Sequence, residues 1–455
     1  MFLLSFIESV LKEKKNGFGN TPATGFCVNS KKIKEGDCFI ALQGEQVDGS
    51  LFFKEAILKG AVGVILNEAY SAEFLKIQDE FHGVWAFFVK DTKEALHALA
   101  AAWRRQFQIP FIAVTGSMGK TTTKELLKSI FEKQGYRVFA TQNSENGSVG
   151  LPLNILKLRP SHTIAIFEMG IEKIGEMDVL CQIIGYVSVA IITTIIESHF
   201  RYFESIDAVI KEKIKIEKIA KDLICIDAEF KRYVKVAVPV IGFGTKESSD
   251  IVYSSLSTKV VIDIDNKKYS INTPYHEGFH HCLVAAFIVA SFLKIRPQAI
   301  IDAIESFKKI NGRFSIHHLK SGGIVINDAY NAVNPLVMLK SLEAFEGFST
   351  HKKKIVVFGD MFDLGSLKET AHGIILERAA HISEDIIEKF YFFGDAFFAQ
   401  RNKCYKDNII FVETFQEIEK EIFGFLDRKY CLLFKASNGT GLFKRVVSYL
   451  EEQEV

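Results

Sequence analysis

Phe111-Ile112-Ala113-Val114-Thr115-Gly116-Ser117-Met118-Gly119-Lys120-Thr121-Thr122 is the stretch from which the rest of the chain can be read. Its first five residues are a short apolar, β-prone run and read as a buried strand. Two glycines follow at once, and Thr121–Gln134 then has the apolar spacing of an amphipathic helix. Such a strand–turn–helix makes a phosphate cradle. Glycine lets backbone N–H groups approach an anion closely, and a helix N-terminus adds unpaired N–H groups and partial positive charge. Thr115, Gly116, Ser117, Met118, Gly119, Lys120, Thr121 and Thr122 are therefore the expected nucleotide-binding residues. Lys120 would reach the β- and γ-phosphates, and the Thr121 hydroxyl would face Mg²⁺. The usual pattern begins with a glycine where Val114 stands, so this loop is a shortened form. A chance glycine-rich turn would not need a strand before it and a helix after it.

Outward from this loop the chain alternates strands and helices. Before it, Asp37–Leu42 and Val62–Leu66 read as strands, and Leu51–Lys59 and Thr92–Gln106 as helices. This small α/β unit is assigned to residues 1–107. The loop opens a second unit, 108–312, with strands at Thr163–Phe167 and Val187–Thr193, a β-rich meander over Ile251–Ile271 and a helix at Cys282–Leu293. Alternation of this kind predicts a mostly parallel sheet covered on both faces. The third unit, 313–455, has strands at Gly323–Ile326, Lys354–Phe358, Phe390–Phe393, Ile409–Val412 and Cys431–Lys435. Helical stretches at Ser366–Ala380 and Phe415–Phe425 separate them, the pattern of a Rossmann-like doubly wound domain. The expected fold class is α/β in three domains.

Bulk properties narrow the function. A chain of 455 residues suits two to four domains. A formal net charge of +1 argues against a nucleic-acid binder. The seven cysteines are scattered with no C-x-x-C pair, which excludes the usual zinc and disulfide patterns and fits reduced thiols in the cytoplasm. Met1–Glu8 is apolar but short and lacks a basic start, unlike a signal peptide. The longest apolar run, about Ile183–Ile196, is shorter than the ~18–20 residues that span a bilayer. The expectation is a cytoplasmic protein, monomeric, with no membrane insertion.

Four further segments carry chemistry. Glu168-Met169-Gly170 follows the strand Ile164–Phe167, where a carboxylate beside a phosphate loop can hold Mg²⁺; a solvated loop Glu before a turn Gly is the plainer alternative. His199 follows the strand Val187–Thr193, although a lone His is more often structural. Lys213 sits in a basic helix read as Val209–Ala220, where a charge run is ordinarily a solvated face. Asn327-Asp328-Ala329-Tyr330-Asn331-Ala332-Val333-Asn334-Pro335 bunches polar residues past a strand end, either a ligand-binding segment or an Asx-rich turn before a helix beginning at Pro335.

Taken in order, these residues resemble the Mur ligase family, the peptidoglycan amide ligases, over nearly the whole chain. The loop Thr115–Thr122 looks like that family's phosphate loop. Thr141, Asn146, Gly150 and Pro152 fall on its Thr…Asn-Asn…Gly-x-Pro segment, with Gly147 for the second Asn. Glu168-Met169-Gly170 matches its Mg²⁺-binding Glu, and His199 its metal-associated His. Lys213 falls at the spacing of its N6-carboxylated (carbamylated) lysine, with Lys215 where an acidic residue usually stands two positions on. Asp328–Pro335, interrupted by Val333, and Phe358–Gly365 with His372 resemble the branch that adds D-alanyl-D-alanine. Asn29-Ser30-Lys31, Gly36–Phe39, Gly44 and Asp48-Gly49 resemble its UDP-sugar-peptide domain. His281 and Val284 stand for asparagines near the nucleotide base, and Lys435-Ala436-Ser437-Asn438 for Lys-Gly-Ser-Arg.

The resemblance implies an ADP-forming ligase that joins UDP-N-acetylmuramoyl-tripeptide to D-Ala-D-Ala through an acyl-phosphate. ATP and two Mg²⁺ ions would serve it. Lys120, Glu168, His199 and Lys213 would be catalytic, with Thr121, Glu168, His199 and Lys213 around metal. Arg313 and Asp328 would contact the nucleotide. Ser30, Gly44, Asp48, Asn146, Tyr330, Asn331 and Lys435 would bind the other substrates. A folylpolyglutamate-synthase-like ligase and a non-enzymatic nucleotide-binding scaffold are the competing readings.

Overall fold

The computed structural model describes every residue except 45, 143–144, 197–201, 257, 274–276, 309, 404–405, 428–429 and 455. Among these described residues the strands form three sheets, each with helices packed on it. The first contains β1 (Gly25–Cys27), β2 (Asp37–Ile40), β3 (Gly63–Asn67) and β4 (Trp85–Val89), all parallel and in chain order. Sequence reading found β2 and β3; β1 is only three residues long, and β4 lies directly beside polar turns.

The second sheet has nine strands: β5 (Phe111–Thr115), β6 (Val138–Ala140), β7 (Ile164–Glu168), β8 (Val187–Ile192), β9 (Ala220–Asp227), β10 (Val240–Gly244), β11 (Ile251–Leu256), β12 (Lys259–Ile264) and β13 (Lys267–Asn272). Their order is β13-β12-β11-β10-β9-β8-β5-β7-β6. All neighbours are parallel except the meander β11-β12-β13, which is antiparallel. The chain leaves β5 for β6 and β7 on one side and returns to β8 on the other. β5 is thus the switch point, beyond whose carboxyl end a ligand crevice opens in sheets of this kind. The expected basic helix Val209–Ala220 is shorter than the sequence implied. It runs Ile206–Ile214, continues as a 3₁₀ turn Lys215–Ile219, and gives way to β9 at Ala220.

The third sheet contains β14 (Ser315–His318), β15 (Ile324–Asn327), β16 (Lys354–Gly359), β17 (Lys389–Phe393), β18 (Ile409–Val412) and β19 (Cys431–Lys435), ordered β14-β15-β19-β16-β17-β18. Among the described residues, only β14 is antiparallel to its neighbour. The chain enters this sheet through Gly312 and Phe314, both at positive φ, +79° and +52°. A Cβ on Gly312 would meet Phe443 and the Tyr330 Cβ within 3 Å, so the position needs glycine for space as well as conformation.

The apolar core is continuous across the first two sheets. Phe2, Trp85, Leu96 and Leu99 share one cluster with Phe111, Leu151, Ile155 and Val187. Arg104 closes the junction. Its guanidinium lies 3.7 Å from the centre of the Phe111 ring and 4.0 Å from that of Tyr186, and donates to the Tyr186 carbonyl at 2.6 Å. The third sheet has its own clusters on its two faces; Phe279 packs against both the second sheet's core and the third's. Among the described residues no helix is long and apolar enough to cross a membrane.

In the first sheet, Trp85 is fully buried and its indole N–H donates to the Thr21 carbonyl at 2.9 Å. A Cβ on Gly63, in the adjacent β3, would lie 2.2–2.4 Å from three atoms of that indole. Gly63→Ala should therefore destabilise the protein by about 1–3 kcal/mol. Denaturant unfolding measures this, and an unchanged midpoint would show that Trp85 yields freely.

Candidate active site

Thr115 ends β5, and its hydroxyl donates to the Met169 carbonyl at 2.9 Å. The loop after it is crowded. Gly116, at φ +142°, leaves a would-be Cβ 1.9 Å from Thr193 Oγ1; Gly119, at φ +86°, leaves one 2.5 Å from His281 Nε2 and 2.7 Å from Cys282 Sγ. Only glycine fits either position. The Ser117 and Met118 amides donate to the Thr194 carbonyl at 3.0 and 3.3 Å. The N–H groups that head the helix Lys120–Lys133 have no acceptor within their own helix, which suits them to an anion. Lys120 Nζ lies over the loop, 2.9 Å from the Gly116 carbonyl and 3.3 Å from that of Ser117. Burial holds it below the usual lysine range; Glu168 opposes that shift and Arg313 adds to it.

Glu168 ends β7 beside this loop and is buried. Its Oε1 accepts from the Thr121 hydroxyl at 3.2 Å and from Asn146 Nδ2 at 2.7 Å. Its Oε2 is buried with no hydrogen-bond donor among the described residues. No group of three His, Cys, Asp or Glu forms a metal cage among those residues. Mg²⁺ needs none: it commonly takes one or two protein oxygens and completes its shell with water and phosphate. An orphaned carboxylate oxygen beside a Thr hydroxyl fits that requirement.

Lys213 stands in the last turn of the helix Ile206–Ile214 and is 1 % exposed. Burial first, then the Lys120 charge, holds its amine well below the usual lysine range. Lys215, two residues on, pairs with Asp178 at 2.6 Å and Glu212 at 2.7 Å. His199 lies outside the described residues.

The third sheet closes the opposite wall. Asp328 follows β15; its Oδ2 pairs with Lys435 Nζ at 2.6 Å, and its Oδ1 accepts the Phe314 N–H at 3.0 Å. Lys435 also donates to the Asn331 carbonyl at 3.0 Å. Burial lowers its pKa, and the adjacent Asp328 opposes this. The Arg313 guanidinium sits 4.9 Å from the centre of the Tyr330 ring. Between the two walls lies a cavity of about 720 Å³. It brings together Ser117–Thr122, Asn146 and Glu168 with Arg313, Asp328, Tyr330, Asn331 and Lys435. Thr115, Gly116 and Lys213 are not in its lining, nor are Ser30, Gly44 and Asp48 of the first sheet. Ser30 donates to Glu55 at 2.8 Å, Asp48 accepts the Ser50 N–H, and the Gly44 N–H donates to the Val47 carbonyl.

Family models for the Mur ligase catalytic domain and the Mur ligase middle domain match residues 23–104 and 114–281. A UDP-N-acetylmuramoyl-tripeptide–D-alanyl-D-alanine ligase of Bacillus subtilis is 30% identical over 447 residues, spanning 95% of this chain and 94% of the relative. The chain belongs to the Mur ligase family. Its fold matches MurF of Acinetobacter baumannii with a TM-score of 0.83, over 99% of both chains at 23% identity. MurF of Thermotoga maritima, solved in complex with ADP, is 25% identical and superposes with a TM-score of 0.76, over 94% of this chain and 97% of that one.

Three residues that hold the elements around this cavity escaped sequence reading. The Thr193 hydroxyl, with its one proton, lies 3.0 Å from the Thr115 carbonyl and 2.5 Å from the Met118 carbonyl, pinning the loop. Glu212 accepts the Gly175 and Met177 N–H groups at the start of the helix Glu176–Ile184. Lys124, one turn beyond Lys120, is buried. A threonine at a strand end and charges in helices carry no distinctive sequence signal, although the i, i+4 spacing places Lys124 on the Lys120 face.

The segment Phe358–Gly365 with His372 has a structural basis. Asp360, beyond β16, accepts the Ala396 and Phe397 N–H groups at 2.9 and 3.1 Å. His372 Nε2 accepts the Met361 N–H at 3.0 Å, and Nδ1 faces the Lys368 carbonyl at 2.7 Å, which assigns the proton to Nδ1. Burial lowers the His372 pKa despite that carbonyl and Asp360. The folded state thus keeps it neutral below about pH 6.5, where the unfolded chain takes up a proton. Its contribution to stability is complete above about pH 6.5 and is lost as pH falls toward the lower folded-state pKa. Unfolding midpoints across pH 5 to 7 should drop on acidification, and drop less in His372→Asn; identical slopes would count against this network.

Proposed function

We propose that this chain ligates D-alanyl-D-alanine to UDP-N-acetylmuramoyl-tripeptide with conversion of ATP to ADP and phosphate, completing the UDP-MurNAc-pentapeptide precursor of peptidoglycan. The observation that carries the reading is the cavity whose one wall is the phosphate loop with Glu168 and whose other is Arg313, Asp328 and Lys435. A triphosphate held there would lie between two sheets. The likeness to the Bacillus subtilis ligase over nearly the full chain supplies the substrate class. We take residues 1–107 as the UDP-substrate domain, 108–312 as the ATP domain and 313–455 as the closing domain, acting as a cytoplasmic monomer.

In this reading a tripeptide carboxylate oxygen bonds to the γ-phosphorus of ATP, and the bond to the ADP oxygen breaks. The amine of D-Ala-D-Ala then attacks the acyl carbon, phosphate departs, and the amine proton passes to solvent. Such transfers depend on positioning and charge neutralisation. Lys120 and the helix N-terminus hold the β- and γ-phosphates. Arg313 and Lys435 face them from the third sheet, and closure of that sheet keeps water from the acyl-phosphate. Thr121 and Glu168 would hold Mg²⁺, which when bound neutralises phosphate charge. A buried amine such as Lys213, held below the usual lysine range, is suited to add CO₂ and release a proton. The resulting carbamate, with His199, would hold a second Mg²⁺.

The test is phosphate release with ATP, UDP-N-acetylmuramoyl-tripeptide and D-Ala-D-Ala, each omitted in turn. Full turnover should require all three. Lys120→Ala should lower it by at least ~10²-fold. Normal turnover in that variant would refute the assignment of the phosphate site, and phosphate release indifferent to the dipeptide would refute the substrate.

A further inference from the structure

Lys124 lies on the helix Lys120–Lys133, one turn past Lys120, and is 1 % exposed. A lysine is almost never buried this far unless its charge is paired. Its surroundings form the wall behind Glu168. Nζ donates to the Thr141 carbonyl at 2.6 Å, pairs with Glu125 Oε1 at 2.9 Å, and stands 3.9 Å from Glu168 Oε2. Thr141 is held from two directions, since its hydroxyl accepts the Glu168 N–H at 3.0 Å. It also begins the segment that carries Asn146 to Glu168 Oε1.

The distances divide the two carboxylate oxygens. Oε1 is engaged by Thr121 and Asn146. Oε2 has the Lys124 charge nearby, at a separation too long for a hydrogen bond. An ammonium drawn in to bonding distance would occupy that oxygen. A neutral side chain would leave the carboxylate without this countercharge. The grip of Thr141 and Glu125 on Nζ holds it between those extremes.

We propose that Lys124 is a positioning residue: it fixes Glu168 and the Thr141 segment in one arrangement and leaves Oε2 without a hydrogen-bond donor, so that its lone pairs remain for a divalent cation. This rests on the reading of Glu168 as a Mg²⁺ ligand, and it adds a residue that touches neither metal nor nucleotide.

Calorimetric titration of the full-length protein with ADP, in Mg²⁺ and in EDTA, tests it. Wild type should bind more tightly with Mg²⁺, and Glu168→Gln should lose that gain. Lys124→Met should lose about 10- to 100-fold of the Mg²⁺-dependent affinity, bind ADP in EDTA as wild type does, and be largely rescued by Lys124→Arg. Lys124→Gln, which keeps a donor for Thr141 without the charge, serves if Lys124→Met does not fold, with the same expected loss. Retained Mg²⁺ dependence in a folded Lys124 variant, tighter Mg²⁺-dependent binding, or equal weakening in both buffers would each overturn the positioning role. If wild type ignores Mg²⁺, or Glu168→Gln keeps the full gain, the failure lies in the Glu168 reading itself.

Discussion

The Asp328 carboxylate is shared between two tasks. One oxygen accepts the Phe314 N–H, in the segment through which the chain enters the third sheet; the other pairs with Lys435 at the end of β19. Burying a carboxylate and an ammonium is costly unless both are paired and hydrogen-bonded. Here the geometry meets that condition only with the Gly312–Phe314 entry, the β15 end and the β19 end brought to one point. The cavity's second wall depends on that convergence, because Arg313, Tyr330 and Asn331 all lie within a few residues of it.

The first wall follows from backbone crowding. Thr193, His281 and Cys282 occupy the space that side chains at 116 and 119 would need. The loop is therefore seated before any ligand arrives, and little ordering remains to be done on binding. Preorganisation of this kind keeps charged groups effective at the reacting phosphate.

Much of this was legible in the chain itself. β5, β18 and β19 fall where their apolar runs end, and the meander β11–β13 shows as a β-rich patch. Short strands did not announce themselves: β1 and β6 have three residues each, too few for a period. β9 was hidden because the basic helix is read through Ala220, where the strand begins, and the exposed Lys221 and Asp222 interrupt the strand's apolar run. The phosphate loop and Glu168 were visible because strand ends in α/β sheets are marked by local pattern. The Lys435–Asp328 pair and the placement of Lys124 join residues 107 and 44 apart to their partners, or depend on burial, and no local spacing encodes them. His199 lies outside the described residues, so its expected place beside Lys213 has no geometry attached.

The shared core of the first two sheets bears on how the chain is made. Leu96 and Leu99, on the helix Thr92–Arg104, share their cluster with Leu151, Ile155 and Val187. During synthesis, the amino-terminal hundred residues therefore leave the ribosome with an apolar face that nothing yet covers. They must wait until roughly the stretch through β8 has emerged, an interval of several seconds or more at ~5–20 residues per second. The third sheet faces no such delay, since its clusters close within itself apart from Phe279, which has emerged before it. The nascent chain is thus most exposed to aggregation early, and chaperone demand should fall on its first half.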